Sequence, residues 1–252
     1  MIDMQGKKVL ITGSSRGIGK GCAMEMARAG ADVCINYRSH GEEAEAVAEQ
    51  VRAMGRRALV FQADVAERVA VDNMVAAVVE EFGHLDIAVA NAYYSKRAPF
   101  LELEVEEVQR TLDVTLWGAF HVAQASARQM VEQGDGGCLL FISSVLSFIP
   151  FQSSVPYNTA KAGMNHMAST IANELTEHRI RVNVIQPGWI DTPGERQFTS
   201  EEEMREAGGD LPWGRLGTIE ELGKAATFLC SDAADYITGA ALRVDGGFWF
   251  PR

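Results

Sequence analysis

The sequence predicts an α/β fold in which one parallel, seven-stranded sheet is covered by helices on both faces. Three observations carry that prediction: seven short apolar runs punctuate the chain, amphipathic helical periods lie between them, and a glycine-rich turn follows directly on the first run. The runs are KVLIT at 8–12, DVCINY at 32–37, ALVFQ at 58–62, LDIAVA at 85–90, CLLFIS at 138–143, IRVNVIQ at 180–186 and AALRV at 240–244. They are nearly continuous rather than alternating, which is the pattern of strands buried on both faces of a parallel sheet. Between the second and third runs, Ala44, Val47, Ala48, Val51 and Met54 recur at helical spacing. Between the third and fourth, Val71, Met74, Val75, Val78, Val79 and Phe82 do the same. Strand and helix in strict alternation imply right-handed βαβ units. No linker, repeat or low-complexity tract interrupts them, so residues 1–252 read as a single doubly wound domain of the Rossmann type. One stretch breaks the pattern. Residues 189–216, WIDTPGERQFTSEEEMREAGGDLPWGRL, are charged, carry Pro and Gly, and are read as an irregular substrate lid, with the acidic run Glu201 to Glu203 as a solvated helix start within it.

Composition excludes several classes of function. With 252 residues, 47% of them hydrophobic, the chain can bury a large core. A formal charge of −11 leaves no basic face for a nucleic-acid backbone or an anionic membrane. No apolar run approaches the length of a membrane span. Cys22, Cys34, Cys138 and Cys230 form no CxxC pair and the histidines show no ligand spacing, so no metal is expected. Free thiols and a start, MIDMQGKKVLITG, without a signal-peptide layout predict a cytoplasmic location.

The turn TGSSRGIGKG places Gly13, Gly17 and Gly19 between the first strand and the first helix. Glycines let a backbone turn tightly and approach a pyrophosphate, while the free N–H groups of the helix start face its charge. The context predicts a dinucleotide. The spacing is not GxGxxG, because position 22 is Cys22.

TGxxxGIG resembles the glycine motif of the short-chain dehydrogenase/reductase family, and motifs along the whole chain follow in that family's order. The resemblance assigns Gly13, Ser15, Arg16, Gly17, Ile18 and Gly19 to the cofactor turn and Asp64–Val65 to the adenine contact. Asn91 stands in the family's Asn-Ala-Gly, although here the third residue is Tyr93. Pro187, Gly188, Ile190 and Thr192 are similar to the segment holding the nicotinamide, and ITGAALRVDGG matches the last strand. The second strand ends Asn36-Tyr37-Arg38, without the acid that binds a ribose 2′-hydroxyl. Arg38, helped by Arg16, could pair with a 2′-phosphate. NADP(H) is therefore the preferred cofactor and NAD(H) a possible one.

YNTAK sets Tyr157 and Lys161 one helical turn apart. Moving a hydride to or from a carbonyl carbon requires a proton to move on the oxygen. A free phenol, with a pKa near ~10, is ionised in only about one molecule in a thousand at neutral pH. A neighbouring ammonium stabilises the phenolate. Ser144, thirteen residues upstream, ends the fifth strand. In the resemblance it binds the substrate oxygen, with Tyr157 as acid/base and Lys161 holding the nicotinamide ribose. Ser143 is its neighbour of the same type. Where the family usually has an asparagine serving a water path to the lysine, this chain has Thr115, so the proton relay is expected to differ.

The expected activity is interconversion of a carbonyl and an alcohol on a small, fairly apolar substrate. Leu146, Phe148, Ile149 and Phe151 are read as a bulky apolar wall, with Tyr93, Tyr94 and Trp189 beside it. An enoyl reductase is a second reading, though such relatives commonly space Tyr and Lys more widely. A non-catalytic dinucleotide-binding relative is a third. The resemblance implies a homotetramer or homodimer, and the tail GGFWFPR suits either such a contact or folding back on its own subunit.

Overall fold

The computed structural model describes residues 2–250. Seven parallel strands, β1 (Lys8–Ile11), β2 (Asp32–Tyr37), β3 (Ala58–Gln62), β4 (Ile87–Ala90), β5 (Gly137–Ile142), β6 (Ile180–Pro187) and β7 (Ala241–Val244), form one sheet in the order β3-β2-β1-β4-β5-β6-β7. The order reverses between β1 and β4, and ligands bind outside the carboxyl ends of strands at such a reversal. The central strands are dry: Val9, Leu10, Ile11, Val33, Cys34 and Val89 have no accessible surface.

Alternate side chains of these strands feed two cores. On one face, α1 (Gly17–Arg28), α2 (Gly41–Ala53) and α8 (Ile219–Cys230) pack against Val9, Ile11, Val33 and Ile35. On the other, α3 (Arg68–Phe82), α5 (Gly118–Gln133) and α6 (Val155–Glu174) pack against Leu10, Cys34, Ala88 and Phe141. Helices α1 and α8 approach closely because Gly21 faces the Ile219 carbonyl and Gly223 faces that of Gly21, leaving no room for a Cβ at either.

The 189–216 stretch is more regular than its composition suggested. It holds a 3₁₀ turn at Glu195–Gln197 and the helix α7 (Glu201–Gly209). Ser200 caps α7, accepting from the Glu203 amide at 3.3 Å while Glu203 Oε2 accepts from the Ser200 amide at 2.9 Å. That reciprocal pair is the S-x-x-E start signal, and it turns a charged loop into a helix. The tail folds back on its own subunit, with Trp249 edge-on to Phe148 at 5.1 Å between ring centroids. Its last two residues lie outside the described region. Among the described residues no helix is long and apolar enough to cross a membrane.

Candidate active site

A cleft of about 600 Å³ opens at the carboxyl ends of the central strands. Its floor is the turn after β1. Gly13 and Gly17 have φ of +61° and +56°, a region that side chains disfavour. Three buried polar residues hold this turn. Asn36 Oδ1 accepts from the Gly13 amide at 3.0 Å while Asn36 Nδ2 donates to the Ala63 carbonyl at 3.1 Å, tying the turn to the end of β3. Asn91 Nδ2 donates to the carbonyls of Thr12 (2.8 Å) and Gly13 (3.1 Å) from the end of β4. The Thr12 hydroxyl accepts from the Asn91 amide at 3.0 Å. Asn91 thus braces the turn and itself lines the cleft.

Ser15, Arg16, Ile18, Arg38, Asp64, Val65, Pro187, Gly188, Ile190 and Thr192 line the same cleft. Gly19 and Thr115 do not. A Cβ at Gly19 would lie 2.5 Å from the Gly13 carbonyl, so this glycine lets the first turn of α1 press against the loop from beneath. Arg38 and Arg16 both have acidic neighbours: Arg38 lies 3.7 Å from Asp64 and Arg16 lies 3.1 Å from Glu43 on α2.

The catalytic candidates meet at the other end of the cleft. Ser144 follows β5 in an extended conformation, and its hydroxyl accepts from the Leu146 amide at 3.1 Å, which fixes the rotamer. Ser143, one residue earlier, turns inward and donates to the Lys161 carbonyl at 3.2 Å. Tyr157 and Lys161 stand on the first turns of α6, and the Lys161 ammonium lies 5.5 Å from the centre of the Tyr157 ring. Its Nζ donates to the Ile142 carbonyl at 2.6 Å. Burial raises the Tyr157 pKa well above its ordinary value, the Tyr93 phenol raises it further, and the Ser144 hydroxyl lowers it. Burial pulls Lys161 down to about 7. Burial thus disfavours the charged form of both groups.

Tyr93 occupies the position where the resemblance expects glycine. Its ring meets Tyr157 edge-on at 5.9 Å and lies 5.9 Å from the Lys161 ammonium. Its hydroxyl fills the space a side chain would need at Gly194. The wall between Ser144 and Tyr157 differs from expectation in part. Leu146 and Phe151 line the cleft, whereas Phe148 is drawn away to meet Trp249 edge-on, and Ile149 does not reach it.

Thr115 is fully buried in a single π-helical turn, Asp113–Trp117, that joins α4 (Val105–Leu112) to α5. Its hydroxyl donates to the Tyr94 carbonyl and accepts from the Tyr94 amide, both at 3.0 Å. The hydroxyl is thereby committed to holding the loop that follows β4. Thr115→Val keeps the shape but leaves both Tyr94 groups unpaired, so urea unfolding should show a loss of about 1–3 kcal/mol. Thr115→Ser should recover most of it.

Two cleft residues, Arg97 and Glu195, carried no motif. They lie 98 positions apart in sequence, and only the folded chain pairs them, at 3.3 Å. No group of His, Cys, Asp and Glu able to hold a metal occurs among the described residues.

Comparison with known proteins places this geometry in context. A family model described as enoyl-(acyl carrier protein) reductase matches residues 13–249. An L-rhamnose 1-dehydrogenase (NAD(P)(+)) from Sphingomonas sp. is 40% identical over 247 residues, covering 98% of this chain and 97% of that one. A 3beta-hydroxysteroid dehydrogenase 1 from Eggerthella lenta is 36% identical over 246 residues, covering 97% and 94%. A crystal structure of a short-chain type dehydrogenase/reductase from Mycobacterium marinum superposes with a TM-score of 0.93 at 37% identity, covering 99% and 98%.

Proposed function

The chain belongs to the short-chain dehydrogenase/reductase family, and we propose that it is an NADP(H)-dependent oxidoreductase interconverting an alcohol and a carbonyl on a small substrate with an apolar body. The observation that carries this reading is the convergence of Ser144, Tyr157 and Lys161 in the cleft floored by Gly13 and Gly17. The glycine turn suits a dinucleotide: its positive-φ backbone bears no side chain, and the start of α1 opens onto the cleft. The cofactor supplies the hydride in one direction and accepts it in the other. Ser144 fixes the substrate oxygen, Tyr157 gives or takes its proton, and Lys161 provides the charge that makes a phenolate tenable in a buried site. Asp64 and Val65 are assigned to the adenine. Pro187, Gly188, Ile190 and Thr192 are assigned to the nicotinamide end.

The matching family model bears an enoyl-reductase description. The CH–OH reading is preferred because relatives covering nearly the whole chain carry names of alcohol-oxidising enzymes and because Tyr157 and Lys161 are one turn apart. Leu146 and Phe151 support an apolar substrate body. A non-catalytic role is disfavoured by the intact trio.

Arg38 and Arg16 support NADP(H), and their neighbours Asp64 and Glu43 explain why NAD(H) would also be tolerated: a 2′-phosphate must compete with carboxylates already there. The test compares both cofactors in the reduction of a carbonyl panel. Arg38→Ala should raise the NADPH KM about tenfold or more, as loss of a charge-assisted bond implies, and barely move that for NADH. Equal losses would refute the 2′-phosphate assignment. A homotetramer or homodimer is proposed on the exposure of edge strand β7 and of Leu101 and Trp117 around α4 and α5. The four buried, free thiols support a cytoplasmic location.

A further inference from the structure

The substrate end of the cleft carries a charged pair that the chemistry at Tyr157 does not use. Arg97, just beyond β4, lies with its guanidinium 4.3 Å from the centre of the Phe198 ring and 5.4 Å from that of Phe151. Glu195 and Phe198 come from the 189–216 segment and Phe151 from the loop after β5, so three separate walls meet at this side chain. Both charged side chains are only about a quarter exposed, 26% and 25%.

Their contact is incomplete. A single nitrogen, Nη2, is shared between the two Glu195 oxygens at 3.3 and 3.4 Å instead of two nitrogens meeting two oxygens in a fork. Nε and Nη1 of Arg97 make no hydrogen bond among the described residues. Donors held in place between aromatic rings and facing a cleft lack a partner there.

We propose that Arg97 and Glu195 determine substrate specificity by binding a vicinal diol on a ring-shaped substrate, a cyclic polyol such as an aldopyranose. Adjacent hydroxyls accept from the unused guanidinium N–H groups and donate to the carboxylate, while Phe151 and Phe198 cover the apolar C–H face of the ring. This assignment rests on the alcohol/carbonyl reading of the same cleft and replaces its apolar substrate body with a ring that is apolar on its C–H face alone. An aldopyranose oxidised there would give the hydride of its C1–H bond to a bound NADP⁺ and its C1–OH proton to the Tyr157 phenolate, which passes it to solvent. A lactone, NADPH and a proton would be the products.

The experiment compares L-rhamnose with tetrahydropyran-2-ol, the bare hemiacetal ring without the diol, in wild type, Arg97→Met and Glu195→Gln. Wild type should prefer L-rhamnose. Each substitution should reduce that preference, the ratio of the two kcat/KM values, by about tenfold or more, mainly through the KM for L-rhamnose, because a site built to bond hydroxyls discriminates by leaving groups unpaired. An equal fall for both compounds would mean that the pair only supports the cleft wall, and the proposal would be wrong. Absence of any wild-type preference for the diol would overturn it as well. Tyr157-dependent reduction of cyclohexanone by NADPH in the same preparation would leave the alcohol/carbonyl reading standing in either case. NADPH titration of each variant shows that it is folded, and the two variants change opposite members of the pair, so one misfolded protein does not remove the test.

Discussion

Tyr157→Phe is expected to lower kcat by about three orders of magnitude, within the range contributed by a positioned acid/base, while NADPH affinity changes less than about twofold. The substitution removes one oxygen and preserves the ring that packs edge-on against Tyr93 at 5.9 Å, so the cleft wall stays in place. Ser144 keeps its own bond to the Leu146 amide, and Lys161 keeps its bond to the Ile142 carbonyl. Neither depends on the phenol. The loss therefore reports the proton transfer and little else. Steady-state turnover with NADPH titration checks it; a variant that kept a tenth of wild-type turnover would remove Tyr157 from the mechanism.

The same electrostatics give a direction with pH. With Tyr157 pushed up and Lys161 pulled down to about 7 by burial, the cleft by itself carries an ammonium below pH 7 and none well above it. Lys161 stabilises a phenolate only while it is charged, so its effect on Tyr157 weakens as pH rises through that value. A positively charged nicotinamide acts on both groups in the opposite sense from burial for the phenol and in the same sense for the ammonium. The pair then titrates as a unit whose two apparent values belong to neither residue alone.

The strands were legible because each is a buried apolar run, and the glycine turn because its spacing follows from backbone geometry. Ser144, Tyr157 and Lys161 were singled out through the family resemblance, because the residues alone offer only a Tyr and a Lys one helical turn apart and a serine at a strand end. Contacts between distant segments were not readable. Nothing local in the sequence joins Arg97 to Glu195, and nothing in a helix pattern indicates that Thr115 will spend its hydroxyl on Tyr94. Phe148 looked like a cleft residue because of its neighbours in sequence, but Trp249, 101 positions later, offered it a better surface. In the 189–216 stretch, Pro and Gly suggested an irregular loop, but the acidic run Glu201 to Glu203 was legible as a helix start, and the capping pair Ser200 and Glu203 fixes α7 there. Asn36 is the most instructive omission. A polar residue inside an apolar strand run is itself a signal, and here it staples the glycine turn to β3.

Gly19→Ala should have the second large effect, and comparison with Gly17→Ala separates its causes. At Gly19 a Cβ would stand 2.5 Å from the Gly13 carbonyl oxygen, 2.6 Å from Asn91 Nδ2 and 2.9 Å from the Ser14 Cα. Two of these are backbone atoms of the turn, and the third is the amide that braces it from β4, so no flexible side-chain end can yield. Relief requires the turn to move away from α1, which breaks the Asn91 bonds to Thr12 and Gly13 and costs about 1–3 kcal/mol for each buried group left unpaired. Displacing the turn also displaces the N–H groups that would face a pyrophosphate. NADPH affinity should fall about a hundredfold or more, with a lower Tm. Gly17 is different: its φ is +56°, and a Cβ there would meet only Thr192 at 3.8 Å, so alanine costs about 1–2 kcal/mol of left-handed strain and little packing. That Cβ would project into the cleft, however, so Gly17→Ala should weaken NADPH while moving Tm only slightly. Titration with NADPH and thermal melting of both variants check the contrast. Wild-type NADPH affinity in Gly19→Ala would mean that the turn after β1 is not the phosphate cradle, because no dinucleotide could be held by that backbone and be indifferent to its displacement.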